Sequence, residues 1–130
     1  MGINAPLVYS STSISSTTCQ SKSNLLTSEI EIDSNYLKKY NAILQEKSRA
    51  SVQLEAGVIA IYPLYQKENP TQIRILEIYA NREAYETHLK TPHFLKYKTS
   101  TLAMVKSLKL IDMDNIDSPT MAEIFRKMQR

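Results

Sequence analysis

One cysteine, no tryptophan, two glycines and two histidines are all that 130 residues supply of four informative residue types. A lone Cys19 excludes an intramolecular disulfide framework. Two histidines with one cysteine give no finger, ribbon or metalloprotease spacing, so no metal is expected. No apolar run approaches the roughly 20 residues of a membrane helix, so no membrane span is expected. Neither sign of charge dominates either. Sixteen Lys/Arg against thirteen Asp/Glu leave a net charge of +3. They alternate without the basic stripe that follows a phosphate backbone, so nucleic acid is not an expected partner.

What is present suits one domain: 42% hydrophobic residues in a chain long enough for one core and too short for two. Residues 1–23 contain "SSTSISSTTCQSKS", with neither charge pattern nor apolar period, and read as a flexible leader. The leader has no apolar h-region and is no signal peptide, which makes the expected compartment cytoplasmic. Were the N-terminus trimmed, Cys19 would be the lipid-bearing residue of an exported or anchored form, although "STTC" fits such a site poorly.

The domain spans residues 24–115. "NLLTSEIEI" (Asn24 to Ile32) alternates with Leu26, Ile30 and Ile32 on one side, the period of a strand. Asp33 or Ser34 then caps a helix whose Leu37, Tyr40, Leu44 and Ser51 recur at helical spacing up to "EAG". Gly57 stands where a helix end favours a left-handed residue. "VIAIYPLY" (Val58 to Tyr65) and "QIRILEIY" (Gln72 to Tyr79) read as a hairpin joined by "QKENPT". Asn81 caps a helix "REAYETHLK", and Thr91-Pro92 opens another in which Phe94, Tyr97, Thr101, Met104, Val105 and Leu108 recur. "SLKLIDM" is the last strand, and residues 116–130 form a helical C-terminal extension starting at Ser118-Pro119. The order βαββαβ is the ferredoxin-like α+β arrangement. Strands two and three carry apolar residues on both faces: Val58, Ala60, Tyr62 and Leu64 against Ile59, Ile61 and Tyr65. Helices cover one face only, and each buried apolar side chain stabilises by about 1.5–3 kcal/mol. A homodimer with sheets packed face to face, a dimeric α+β barrel, is therefore expected.

Three short patterns carry a resemblance: E-x-G at Glu55/Gly57, E-x-Y at Glu77/Tyr79, and H-x-x-T-P-H-F at His88/Thr91/Pro92/His93/Phe94. With them the chain resembles the antibiotic biosynthesis monooxygenase family of dimeric α+β barrels, especially its quinol monooxygenase-like members. The resemblance implies a cofactor-independent monooxygenase acting on a phenolic, quinol or similarly enolisable small molecule together with dioxygen. It also brings alternatives: a non-catalytic dimeric module that binds a small ligand or a partner, or an isomerase of a phosphorylated compound. The isomerase needs a phosphate subsite, for which only Lys96, Lys98 and Arg74 offer charge. A haem-degrading branch uses a tryptophan and a helix histidine, and Tyr79 and Lys98 stand about where those would fall.

Glu77 and Tyr79 share a strand face, and His88 lies on the apolar side of its helix. If these faces meet, a carboxylate, a phenol and an imidazole enter one pocket. Burial raises carboxylate and lowers imidazole pKa values toward neutrality, where a general base works best. On this reading His88 is the base and Glu77 orients it, while His93, near free helix N–H groups, joins Tyr79 in binding the ring oxygens. Tyr62, Phe94 and Tyr97 complete the substrate walls, and no cofactor is needed. Each residue also has a plainer reading: His88 as a hydrogen-bonded core residue, His93 as a cap, Glu77 as an ion-pair partner, and the tyrosines as core or interface.

Overall fold

In the computed structural model, which describes residues 23–129, strand β1 (Asn24–Ile32) buries Leu26, Ser28, Ile30 and Ile32, every second residue. Residues 1–22 of the expected leader, Cys19 included, lie outside the described residues. Asp33 accepts a hydrogen bond from the Asn35 amide at 2.9 Å and opens a 3-10 turn (Ser34–Tyr36), which leads into α1 (Leu37–Leu54). The buried residues of α1 are Tyr40, Leu44, Lys47, Ser48 and Ser51, a stripe with the helical period. Lysine inside that stripe is the first departure from the expected apolar pattern.

Gly57 does not act as a left-handed cap. Glu55 closes α1 in an extended conformation, φ −110° and ψ 110°, and Gly57 itself stays out of the left-handed region. Glycine is required there for space, because a Cβ would sit 2.5 Å from the Cβ of Ala84.

β2 (Val58–Gln66) and β3 (Asn69–Tyr79) form a longer hairpin than expected, turning at Lys67 and Glu68 alone. Asn69 pairs with Gln66 next to a register shift, and Pro70, which has no N–H to give a ladder, is accommodated beside it. A second shift between Val58 and Ala60 corrects the expected division of faces. Ile59 is the extra residue. Val58 therefore joins Ile61 on the buried side, while Tyr62 and Leu64 turn outward and are exposed.

Helix α2 (Arg82–His88) is capped by the Asn81 side chain, which accepts from the Ala84 amide at 2.8 Å. Helix α3 (Pro92–Thr101) is capped by Thr91 and runs into a 3-10 turn at Leu102–Met104. β4 (Val105–Met113) starts before the expected strand, so Val105 and Leu108 belong to a strand and not to the helical repeat. Leu108 faces Ile30 across the ladder to β1 and remains exposed, while Met104 is buried in the core. The reason is pairing: β1 offers an edge along its whole length, and the chain takes it as soon as the last helical turn ends.

The sheet order is β2-β3-β1-β4, with every pair antiparallel, the ferredoxin-like α+β fold. Tyr40 and Leu44 of α1 and Tyr97 of α3 share one core with Leu26, Ile30, Ile61, Ile73 and Ile75 of the sheet. On the opposite face Tyr62, Leu64 and Leu76 are exposed. α4 (Ser118–Met128) begins at Ser118-Pro119 as expected, with Met121 and Phe125 half-buried and Ile124 and Met128 exposed.

Candidate active site

Three elements end at one point. Glu55 closes α1, His88 is the last residue of α2, and His93 is the second residue of α3. The Thr91 hydroxyl donates to the His88 carbonyl at 2.8 Å and accepts from the Phe94 amide at 3.3 Å, which fixes the corner between the two short helices. Both imidazoles then meet the same carboxylate oxygen: His88 Nδ1 lies 3.0 Å and His93 Nε2 2.5 Å from Glu55 Oε2.

His88 is 1% exposed. Burial holds its imidazole below the ordinary value of 6.5, against the upward pull of Glu55, so the ring is neutral at pH 7. The carboxylate partner assigns the single ring proton to Nδ1, which donates. Nε2 is left as a buried acceptor with no hydrogen-bond partner among the described residues.

Glu77 is held from both sides, by the Tyr79 hydroxyl donating to Oε1 at 2.5 Å and the Ser28 hydroxyl donating to Oε2 at 3.2 Å. Burial, then the neighbouring Glu77, lifts the Tyr79 phenol well above the ordinary tyrosine range. Between sheet and helices runs a cleft of about 60 Å³, whose walls include Ser28, Lys47, Glu77, His88, Phe94 and Tyr97. Lys47 is 4% exposed, with Nζ 4.7 Å from the centre of the Tyr97 ring, and burial lowers its pKa. The Tyr97 hydroxyl is hydrogen-bonded to that of Tyr40 at 2.7 Å. A wider groove of about 530 Å³ lies between α1 and the hairpin, beside Arg49 and Tyr65. It contains neither histidine nor either of the two glutamates, so chemistry and not size selects the smaller cleft.

Of the residues expected from sequence, the structure gathers His88, Glu77, Phe94 and Tyr97 around the cleft. Tyr79 stands behind Glu77 with its hydroxyl already committed. His93 does not line the cleft; its ring faces Glu55, and the Thr91 side chain already takes the Phe94 amide of that first helical turn. Tyr62 is corrected: it lies on the far face of the sheet and cannot be a wall. The carboxylate hydrogen-bonded to His88 is Glu55, where Glu77 was expected. The expectation of no metal set is also revised. Glu55, His88 and His93 place three ligand atoms within 4.8 Å of one another, although the two histidines share no helix.

Sequence reasoning missed Glu55, Lys47, Ser28 and Tyr40 as site groups. Signals existed for three of them. Ser28 is the polar residue at an inward position of an alternating strand, Lys47 falls on the Tyr40/Leu44 stripe, and Glu55 belongs to the E-x-G pattern.

The antibiotic biosynthesis monooxygenase family profile matches residues 26–100, which contain every group described above. A crystal structure of a "putative antibiotic biosynthesis monooxygenase" from Bacteriodes thetaiotaomicron VPI-5482 is 45% identical, with a TM-score of 0.73, over 74% of this chain and 91% of that one. A "putative monooxygenase" from Lactobacillus acidophilus NCFM is 28% identical with a TM-score of 0.69, and the match covers 74% of this chain and 46% of that one. A Pseudomonas aeruginosa structure, 18% identical with a TM-score of 0.70 over 77% of this chain and 100% of its own, shares the fold. No curated protein matches. On the matched span and the 45% identity, the chain belongs to the antibiotic biosynthesis monooxygenase family and is monooxygenase-like in function.

Proposed function

We propose that the chain is a cofactor-independent monooxygenase for a small phenol or quinol, with His88 as general base. The observation that carries this reading is the state of His88, a residue of the cleft wall: Nδ1 is tied to Glu55, and Nε2 is buried and unpaired among the described residues. An imidazole locked in one tautomer with a free lone pair is the arrangement a general base requires.

The substrate supplies the electrons. Nε2 takes the phenolic proton, and the phenolate is far easier to oxidise by one electron than the phenol. Dioxygen accepts that electron, the two radicals join at a hydrogen-bearing ring carbon ortho or para to the oxygen, and loss of water from the peroxide leaves a carbonyl. In sum, one phenol C–H and one O–H with one dioxygen give a quinone and one water. Phe94 and Tyr97 hold the ring, and Glu77, fixed by Tyr79 and Ser28, faces its polar edge. Exclusion of bulk water keeps the anion and dioxygen together.

Two copies complete the molecule on this reading, the exposed Tyr62, Leu64 and Leu76 of one sheet covering those of its partner. Oxygen uptake with a panel of phenols and hydroquinones tests the reaction. Turnover should need air, place one atom of labelled dioxygen in the product, and fall by about 10²–10⁴-fold in His88→Ala. Substrate conversion at equal rates under nitrogen and air would establish an isomerase instead, and binding without oxygen consumption a silent ligand-binding module.

A further inference from the structure

The base reading uses Glu55 and one histidine, yet a second imidazole is delivered to the same carboxylate oxygen from a different helix. We propose that Glu55, His88 and His93 bind a divalent transition-metal ion of the zinc class, and that the bound ion turns His88 off as a base. The first half stands on geometry alone; the second rests on the function proposed above.

Two imidazoles and a carboxylate are a borderline-soft nitrogen and oxygen set that suits zinc, with a fourth position left for water. Metal bonds of about 2.0–2.2 Å in a tetrahedral site put ligand atoms about 3.4 Å apart. The present spacings are 3.0 Å and 2.5 Å to the shared oxygen, with all three atoms within 4.8 Å of one another. Each ligand atom therefore moves by less than about 1 Å to admit the ion, given those bond lengths. His88 is fixed by burial, whereas the His93 and Glu55 side chains are 17% and 11% exposed and give the ion a way in from solvent. Lys47 opposes it. In its protonated form, which burial disfavours, its charge acts on both Glu55 and His88 and lowers the affinity of the site for a cation.

The consequence follows from the two nitrogens of one ring. Without an ion the proton sits on Nδ1, and Nε2 accepts. An ion that takes the Nδ1 lone pair sends that proton to Nε2, so the ring stays neutral while Nε2 becomes a donor. A donor cannot take a phenolic proton, although it can still hold a phenol oxygen.

The test uses untagged full-length chain stripped with a chelator. Cobalt(II) is titrated and followed by its visible tetrahedral absorption, and zinc is competed against a chromophoric chelator. One ion per chain is expected, with affinity reduced by at least about ten-fold in Glu55→Gln and in His93→Ala, and increased in Lys47→Met. Circular dichroism confirms that each variant is folded, and the partly exposed His93 is the substitution least able to disturb the core. Absence of binding, or binding unchanged in both ligand variants, overturns the site. Oxygen uptake that declines in proportion to zinc occupancy and returns with chelator supports the switch; full uptake at saturating zinc overturns it. If ion-free protein consumes no oxygen with any phenol, the base reading and the switch fall together, while the site is judged by its binding data.

Discussion

Single buried side chains set the chemistry of this protein, because each one has lost water and must find a substitute. Glu55 substitutes for water at Nδ1 of His88 and so decides which nitrogen carries the proton. Glu55→Gln keeps the size of the side chain and loses its charge. On the function proposed above, it should reduce kcat for a phenol or quinol by about 10–100-fold with KM little changed, as loss of an orienting partner does. Steady-state oxygen uptake reads the split. The tyrosines make a second expectation. Burial lifts Tyr40, Tyr79 and Tyr97 above the ordinary value of 10.0, so between that value and their folded values the native chain holds protons that the unfolded chain has released. Stability therefore falls as pH rises above about 10. Lys47, with a lowered pKa, contributes the opposite slope only up to its ordinary value of 10.5, so the decline steepens beyond it. Urea midpoints measured from pH 9 to pH 12 check the sign; a midpoint that rises through that range would contradict the buried phenols.

At the scale of elements, the contact between Gly57 at the entrance to β2 and Ala84 of α2 leaves no room for a side chain. An alanine at position 57 would push its Cβ to 2.5 Å from that of Ala84, and overpacking of this kind costs about 1–3 kcal/mol. Gly57→Ala should lower stability by that amount. Adding Ala84→Gly should recover part of it, less the roughly 1 kcal/mol that glycine costs inside a helix. A double-mutant cycle in urea measures the recovery, and simple additivity would place the cost of Gly57→Ala somewhere else. The same contact draws α2 onto the sheet and brings its terminal His88 to Glu55. Existence and order of the elements were legible in the sequence because they rest on local periods and caps: alternation in β1, Asn81 before α2, Thr91-Pro92 before α3. The bulge at Ile59 was not legible. A one-residue slip leaves no mark in a run as uniformly apolar as "VIAIYPLY", and it alone moves Tyr62 to the outer face.

For the whole molecule, α1, α2 and α3 cover one face of a sheet that is apolar on both. Tyr62, Leu64 and Leu76 are 57%, 47% and 37% exposed on the other, and each large side chain buried against a second copy stabilises by about 1.5–3 kcal/mol. Sedimentation equilibrium should give twice the chain mass of 14.8 kDa. Tyr62→Asp with Leu76→Asp should give the single mass without loss of helical signal. A wild-type chain that sediments as a monomer at micromolar concentration would remove the dimer from this account.

The sequence by itself determined the order of strands and helices, the family, and the presence of a carboxylate, a phenol and an imidazole on inward faces, since period and capping act between residues close in the chain. Only the tertiary structure decided which carboxylate meets which imidazole. Glu55 and His88 are 33 residues apart, and Glu55 and His93 are 38 apart. Such pairs form because α1, α2 and α3 are docked on one sheet, with the Gly57–Ala84 approach setting how closely. That docking gave Glu55 the place expected for Glu77 and joined two histidines that no helix could have joined.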